Sequence, residues 1–161
     1  MNFEILLIGI IISLVFILPI YLFGRSRSKH KKVLKKTLHQ LANSTDCKIH
    51  ISDVWNDFVI GLDSEKRILF FYQKNKDNES SQIIKINEIQ KVRISSFSIK
   101  NEDRDKGQNY IDQSGIIISF HSSGKKDVFL EFYNSKYGNF SIGPELQIAE
   151  KWVKIINSNI R

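Results

Sequence analysis

The chain opens with an uninterrupted apolar run, residues 3–23, in which the one charged side chain, Glu4, stands at the edge. As an α-helix these 21 residues extend for about 31 Å, close to the roughly 30 Å hydrocarbon core of a bilayer. A helix in the core of a water-soluble protein shows a polar face, and this run has none. The pattern predicts a transmembrane helix within residues 1–24, preceded by a short outside N-terminus.

A cleaved signal peptide is the alternative interpretation of this run. It requires a positively charged start, a shorter apolar core and a cleavage site between small residues. The chain begins Met-Asn-Phe-Glu and continues after the run with Gly-Arg-Ser-Arg. The membrane-spanning interpretation is therefore favoured.

The next residues, 25–36, hold seven Lys or Arg and one His and contain no acid. Basic residues next to a transmembrane helix stay on the cytoplasmic side, and the N-terminal flank has none. The asymmetry predicts a single-pass protein with its N-terminus outside and its C-terminal domain in the cytoplasm. The high Ile and Lys content, with Ala42 and Ala149 as the two alanines of the sequence, is typical of an AT-rich bacterial genome and favours the plasma (inner) membrane of a bacterium. The residues predicted to set topology and to contact anionic lipid headgroups are Arg25, Arg27, Lys29, Lys31, Lys32, Lys35 and Lys36.

Residues 25–46 also carry an apolar stripe at helical spacing, formed by Val33, Leu34, Leu38 and Leu41. They predict a basic juxtamembrane amphipathic helix that ends near the turn-forming sequence NSTD. The stripe has two possible partners, lipid headgroups or the following domain, and its continuation toward the domain favours the second.

From Cys47 onward the apolar residues alternate with a period of two, which is typical of β-strands. The stretch FVIGLDSEKRILFFYQK predicts a hairpin around residues 63–66, and GIIISFH with DVFLEFY predicts another. A change of phase in QKVRISSFSIK predicts a β-bulge near Ser95 and Ser96. About seven antiparallel strands are expected in residues 47–161.

The chain ends with GPELQIAEKWVKIINSNI, where Pro144 and Glu145 indicate the start of a helix. At about 100° per residue its apolar positions cover roughly half of the circumference. They are Leu146, Ile148, Ala149, Trp152, Val153, Ile155, Ile156 and Ile160. The pattern predicts an amphipathic helix that covers the open end of a sheet.

This order of elements, with FVIGLDSEKRILFFY followed by IIKINEIQKVRI, resembles bacterial pleckstrin-homology-like (PH-like) domains. The resemblance implies an α+β fold: a partly open antiparallel barrel behind the membrane helix, with a C-terminal helix at one end. Phosphoinositide-binding members of that family carry several basic residues around the first hairpin loop. Here that loop, residues 53–57, is DVWND, so the inositide-binding activity is not transferred to this chain.

Charge and composition argue against a nucleic-acid partner. The chain has 24 Lys and Arg against 17 Asp and Glu, a formal net charge of +7. Seven of the basic residues lie in residues 25–36 and one acid is Glu4, so residues 37–161 hold 17 basic against 16 acidic side chains. A nucleic-acid binder is expected to carry its charge on the folded surface.

No catalytic or metal-binding motif is complete. Cys47 and His50 could supply two ligands, but a structural zinc site requires four. Residues 101–112 imitate a calcium loop, yet they lack its sixth-position Gly and its twelfth-position Glu. We expect no enzyme activity, no metal and no cofactor, and interpret the lone cysteine as a packing residue.

Aromatic residues near loops are the remaining candidates for a binding surface. They are Trp55, Phe58, Tyr137 and Phe140, and closing the ends of a barrel is their alternative role. The sequence thus predicts a membrane-anchored, non-enzymatic binding or scaffolding module that contacts lipid or an unknown protein partner. The alternatives are a carrier of lipid or a small ligand in the barrel interior, with the two-faced strand RILFFYQ lining a cavity, and a membrane-associated enzyme without a recognisable motif.

Overall fold

Among the residues described by the computed structural model of the chain, seven strands form two antiparallel sheets, flanked by one long N-terminal helix and one C-terminal helix. The structure describes residues 3–75, 78–97, 111–136 and 143–160, without the side chains of 3–11 and 18–28. Most of the predicted membrane span, most of the calcium-like loop, Tyr137 and Phe140 therefore lie outside the described side chains. Within the described part of the chain, no helix meets the length and apolarity needed to cross a membrane.

The elements follow the predicted order. The first sheet contains β1 to β4 and the second contains β5 to β7, each sheet in sequence order, and among the described residues the two do not join into a closed barrel. The α+β class, the strand number and the C-terminal helix are thereby confirmed. Their bounds are α1 Phe3–Ser44, β1 Ile51–Trp55, β2 Phe58–Asp63, β3 Ile68–Lys74, β4 Glu79–Lys85, a 3₁₀ turn Ile86–Glu88, β5 Ile89–Phe97, β6 Gln113–Phe120, β7 Val128–Asn134 and α2 Pro144–Ile160.

The first helix, α1, is one continuous helix of 42 residues. It crosses the predicted boundary at residue 24 without a break and ends within the predicted turn sequence. Its end is a Schellman motif: the Cys47 amide donates to Ala42 O at 2.8 Å and the Asp46 amide to Asn43 O at 3.1 Å. Asp46 takes the left-handed conformation, with φ of 55°, and Cys47 packs under the helix end.

The first sheet is apolar on both faces because both faces are covered. Every residue of β2 is buried, and so is the centre of β3. Side chains on the inner face join the main core between the two sheets, where the Phe58, Phe71 and Phe132 rings stack with centroids 4.5 to 5.8 Å apart. Two-sided burial explains why FVIGLD and ILFFYQ lack the strict alternation of a half-exposed strand.

The outer face of the first sheet is covered by α1. Leu34, Leu38 and Ala42 are fully buried against Val59, Phe70 and Tyr72. Of the two partners considered for the helical stripe, the domain is therefore the observed one, although Val33 is 54% exposed and does not take part. The outer side chains of β3, Phe70 and Tyr72, pack in the same cluster as this helix.

A glycine in β2 lets the helix approach the sheet closely. A methyl group at Gly61 would lie 2.8 Å from Leu38 Cδ2 and 3.1 Å from Ile49 Cγ2, so the missing side chain leaves the space that Leu38 fills. The absence of a side chain at Gly61 thus allows α1 to pack at its observed distance from the sheet.

The predicted bulge near Ser95 and Ser96 is wrong. Ser95 pairs with Gly115 and Ser96 with Ser114 in regular register, and the shift in β5 falls between Ile89 and Lys91. The phase change at Phe97 arises because this side chain lies on the outer face, edge-on to Phe129 with centroids 5.5 Å apart.

The C-terminal helix α2 covers the inner core with its predicted apolar face. Ala149, Trp152 and Ile156 are fully buried among side chains of both sheets. The apolar residues beside them are partly buried, and the opposite side of the helix carries exposed charged and polar residues.

We expect Gly61→Val to lower the free energy of unfolding by about 2 kcal/mol, because overpacking at a close contact forces side chains and backbone apart. Leu38→Ala should cost less in the Gly61→Val background than in the wild type, since it removes the nearest clashing atoms. Urea unfolding of the full chain, followed by tryptophan fluorescence, measures both effects.

Gly124→Val is the matched control, because a methyl group at Gly124 meets no atom within 4 Å. The prediction fails if both glycine variants lose the same stability, or if Leu38→Ala adds its full cost to that of Gly61→Val.

Candidate interaction site at the first hairpin

The basic part of α1 meets the acidic turn between β1 and β2. His30 Nε2 lies 3.4 Å from Asp57 Oδ1, and Lys31 Nζ lies 5.6 Å from the centre of the Trp55 ring. His30 and Asp57 are each about two-fifths exposed, so their pairing is weak. The cation–π contact of Lys31 is of the exposed type, worth about 0.5–1 kcal/mol.

The same turn is tied to the start of α2 by a buried carboxylate. Trp55 Nε1 donates to Glu145 Oε1 at 2.9 Å, and Asn56 Nδ2 donates to the same oxygen at 3.0 Å. Glu145 is 6% exposed, and its place in the first turn of the helix favours its negative charge. The turn can bend here because Asn56 adopts a positive φ of 41°.

A second carboxylate holds β1 against the middle of α2. Asp53 Oδ2 accepts hydrogen bonds from Trp152 Nε1 at 2.8 Å and from Lys151 Nζ at 2.7 Å. Because Trp152 is fully buried, its indole N–H has no access to water and requires an acceptor inside the protein.

The chemistry of this junction is therefore structural attachment. The three carboxylates Asp53, Asp57 and Glu145 each face a donor or a cation from another element of the same chain. They fasten the first hairpin to α1 on one side and to α2 on the other.

The predicted basic residues divide between two sides of α1. His30 and Lys31 turn toward the hairpin, whereas Lys29, Lys32 and Lys36 lie about 160–220° around the helix from Leu34 and are exposed. Lys35 is exposed as well. The side chains of Arg25 and Arg27 lie outside the described part of the structure.

The predicted aromatic contacts also divide. Phe58 is 1% exposed and stacks in the main core, so it cannot meet a partner, and its alternative role as a core residue is the observed one. Trp55 is half-buried between Lys31 and Glu145. Tyr137 and Phe140 remain predictions, because they lie outside the described residues.

The other end of the first sheet contains the Cys47–His50 pair considered as metal ligands. Cys47 is buried in the packing under α1. His50 Nδ1 accepts a hydrogen bond from the Ser64 amide at 3.2 Å and lies 3.6 Å from Asp63 Oδ1. The residues that the structure describes contain no group of three His, Cys, Asp or Glu side chains placed to hold a metal ion.

Asp63 organises the turn between β2 and β3. It is 2% exposed and accepts hydrogen bonds from the amides of Lys48, Glu65 and Lys66 at 2.8 to 2.9 Å. Burial by itself raises the pKa of this carboxyl, but the three N–H donors outweigh it and hold the pKa below its ordinary value.

Sequence reasoning missed the residues that join distant elements. Glu131 of β7 accepts hydrogen bonds from Gln73 of the first sheet and Gln113 of the second, both at 3.2 Å. The sequence pattern indicates Glu145 only as a helix-start residue and Asp53 only as part of an acidic loop. The pairing of two tryptophan N–H groups with two carboxylates is a chemical signal, but nothing local in the sequence indicates which carboxylate meets which indole.

Comparison of the chain with protein-family models, with curated proteins and with solved structures found no match.

We expect Asp53→Ala to lower the free energy of unfolding by about 2 kcal/mol, since it leaves the buried Trp152 N–H without an acceptor. Lys151→Ala removes a half-exposed partner of the same carboxylate and should cost less than about 1 kcal/mol. Urea unfolding of both variants measures the difference, and equal losses would contradict the assignment of Asp53 to Trp152.

The lowered pKa of Asp63 predicts a pH-dependent contribution to stability. The folded pKa lies below the unfolded value of about 4, so the ionised form stabilises the fold above that pH. This contribution is lost as the pH falls through the folded pKa. We expect Asp63→Asn to cost about 2 kcal/mol at neutral pH, and the gap to the wild type to narrow as the pH falls below about 4.

Urea unfolding over a series of pH values tests this, with the exposed Asp127→Asn as the matched control. A gap between Asp63→Asn and the wild type that stays constant down to about pH 3 would refute the linkage.

Proposed function

We propose that this chain is a single-pass, membrane-anchored and cytoplasm-facing module of a bacterial inner membrane, and that its PH-like domain binds or scaffolds a protein or lipid partner without catalysis. The proposal joins an anchoring helix, an orienting basic segment and a domain that is packed directly on that helix.

The observation that carries the anchor is the exposure of apolar side chains on the first half of α1. Ile12, Leu14, Val15, Phe16 and Ile17 are 51–68% exposed. Five such positions within residues 12–17 leave a large apolar area without a partner from the described chain, at a cost of roughly 25 cal/mol for each Å² left in water. Lipid tails are the environment in which that cost disappears.

The orientation rests on the charge asymmetry around this segment. The helix continues directly into basic residues, of which Lys29, Lys32, Lys35 and Lys36 are exposed to solvent. Positive charges at one end of an apolar helix keep that end in the cytoplasm.

A binding role without catalysis is supported by what the titratable groups contact. His30 pairs with Asp57 at the first hairpin, and His50 with Asp63 and Glu65 at the opposite end of the first sheet. Asp53 is held by Trp152 and Lys151. These groups have separate structural partners, whereas acid–base catalysis requires them to converge on one substrate. The two sheets with α2 across their shared core support the PH-like hypothesis.

A reporter fused after Arg161 tests the topology. We expect cytoplasmic signal in the wild type, and a mixed population when Arg25, Arg27, Lys29 and Lys32 are all replaced by Gln, because the orienting charge is then removed. Lys31 is kept, since its contact with Trp55 belongs to the fold.

The matched control replaces four exposed lysines of the domain by Gln, namely Lys48, Lys85, Lys126 and Lys154. It should leave the reporter in the cytoplasm. An extracytoplasmic reporter in the wild type would refute the orientation, and a chain that is released from membranes by alkaline carbonate would refute the anchor.

A further inference from the structure

The contacts of α1 with the first sheet fix the direction in which the helix crosses it. His30 lies beside Asp57 at the start of β2, and Leu38 lies over Gly61 in the middle. Beyond the end of β2, Lys66 Nζ donates to Asp46 Oδ2 at 2.8 Å. The helix and β2 therefore run parallel. Each height along the first sheet, called a level below, can thus be matched to a residue of α1.

These levels can be measured from the end of the apolar run at Phe23. His30 and the turn between β1 and β2 lie about 10 Å further along the helix axis, and Ser44 lies about 31 Å further. The headgroup layer adds roughly 5–7 Å on each side of the hydrocarbon core. The first turn thus comes close to the headgroups, while the turn between β2 and β3 stands far above them.

Tilt of the helix does not reverse this order. Transmembrane helices tilt by about 20° on average and up to about 40°, which shortens the separation of the two levels by at most about a quarter. Both turns belong to the same sheet and lie on the same side of the helix, so tilting moves them together.

The outer side of α1 supplies the charges near the lower level that suit an anionic lipid surface, whereas the acidic Asp57 of the turn faces His30. Lys29 and Lys32 point away from the domain and are exposed, at about 9 and 14 Å beyond the apolar run. Lys36, at about 20 Å, lies beyond the headgroups by more than the screening length of about 8 Å at physiological salt.

We propose that the end of the domain that carries the turn between β1 and β2 faces the lipid headgroups, with Lys29 and Lys32 as its lipid contacts, and that the turn between β2 and β3 faces away from the membrane. This inference rests on the proposed membrane anchor. It removes Lys31, Lys35 and Lys36 from the predicted lipid contacts: Lys31 contacts Trp55, and Lys35, at about 18 Å, lies beyond the headgroups as Lys36 does. The far end of the first sheet is then the surface that a cytoplasmic partner can reach.

Two variants, each with one introduced cysteine for labelling, test the orientation in the full chain. Asn78→Cys lies next to the strand pair Lys74–Glu79 at the lower level, and Ser64→Cys lies in the turn between β2 and β3. Both side chains are exposed, and the native Cys47 is buried, so the unmutated chain is the labelling control. Each variant carries an environment-sensitive dye and is placed in phosphatidylcholine–phosphatidylglycerol vesicles that contain a headgroup nitroxide lipid.

We expect several-fold stronger quenching at Asn78→Cys than at Ser64→Cys. Equal quenching, or stronger quenching at Ser64→Cys, overturns the orientation and leaves the anchor intact if the chain floats with the vesicles. A chain that does not float with vesicles overturns the proposed function and this inference with it. Tryptophan emission from the buried Trp152 verifies that each labelled variant is folded.

Discussion

The rest of the structure depends on the packing of α1 against the outer face of the first sheet. The strands β2 and β3 are apolar on both faces, so a single core between two sheets would leave half of their side chains in water. Leu34 and Leu38 bury that second half, and the missing side chain of Gly61 lets them come close enough to do so. The helix is thus a layer of the domain and is more than a connection to it.

This layer determines how the polar residues are used. A helix packed on one face fixes where its charged side chains can reach, and His30 and Lys31 consequently meet the first hairpin. The hairpin is in turn fastened to α2 through Glu145 and Asp53. Asp53, which a sequence pattern assigns to an exposed loop, serves here to hold β1 to α2, because it lies beside an indole N–H that burial would otherwise leave unsatisfied.

Local patterns predicted the elements well and their partners poorly. The period of two, the turn sequences and the Gly143-Pro144-Glu145 helix start are short-range signals, and they gave seven strands and α2 near their observed bounds. The bond between Asp53 and Trp152 joins residues 99 positions apart, and no local pattern encodes such a pair. Phe97 misled the bulge prediction because a strand pattern cannot distinguish a register shift from an aromatic contact on the outer face.

The helical period determines which basic residues of α1 are available to a partner. These residues can be derived from the sequence once the face of α1 that packs on the sheet is known. Leu34 and Leu38 define the side of α1 that faces the sheet. On the other side, Lys29, Lys32 and Lys36, spaced three and four residues apart, form a stripe in solvent. Which face docks depends on Gly61, a residue distant in sequence. A basic segment next to an apolar helix therefore has two separable effects. Its total charge orients the helix in the membrane and depends on composition alone. Its contacts depend on which face of the helix packs against the domain.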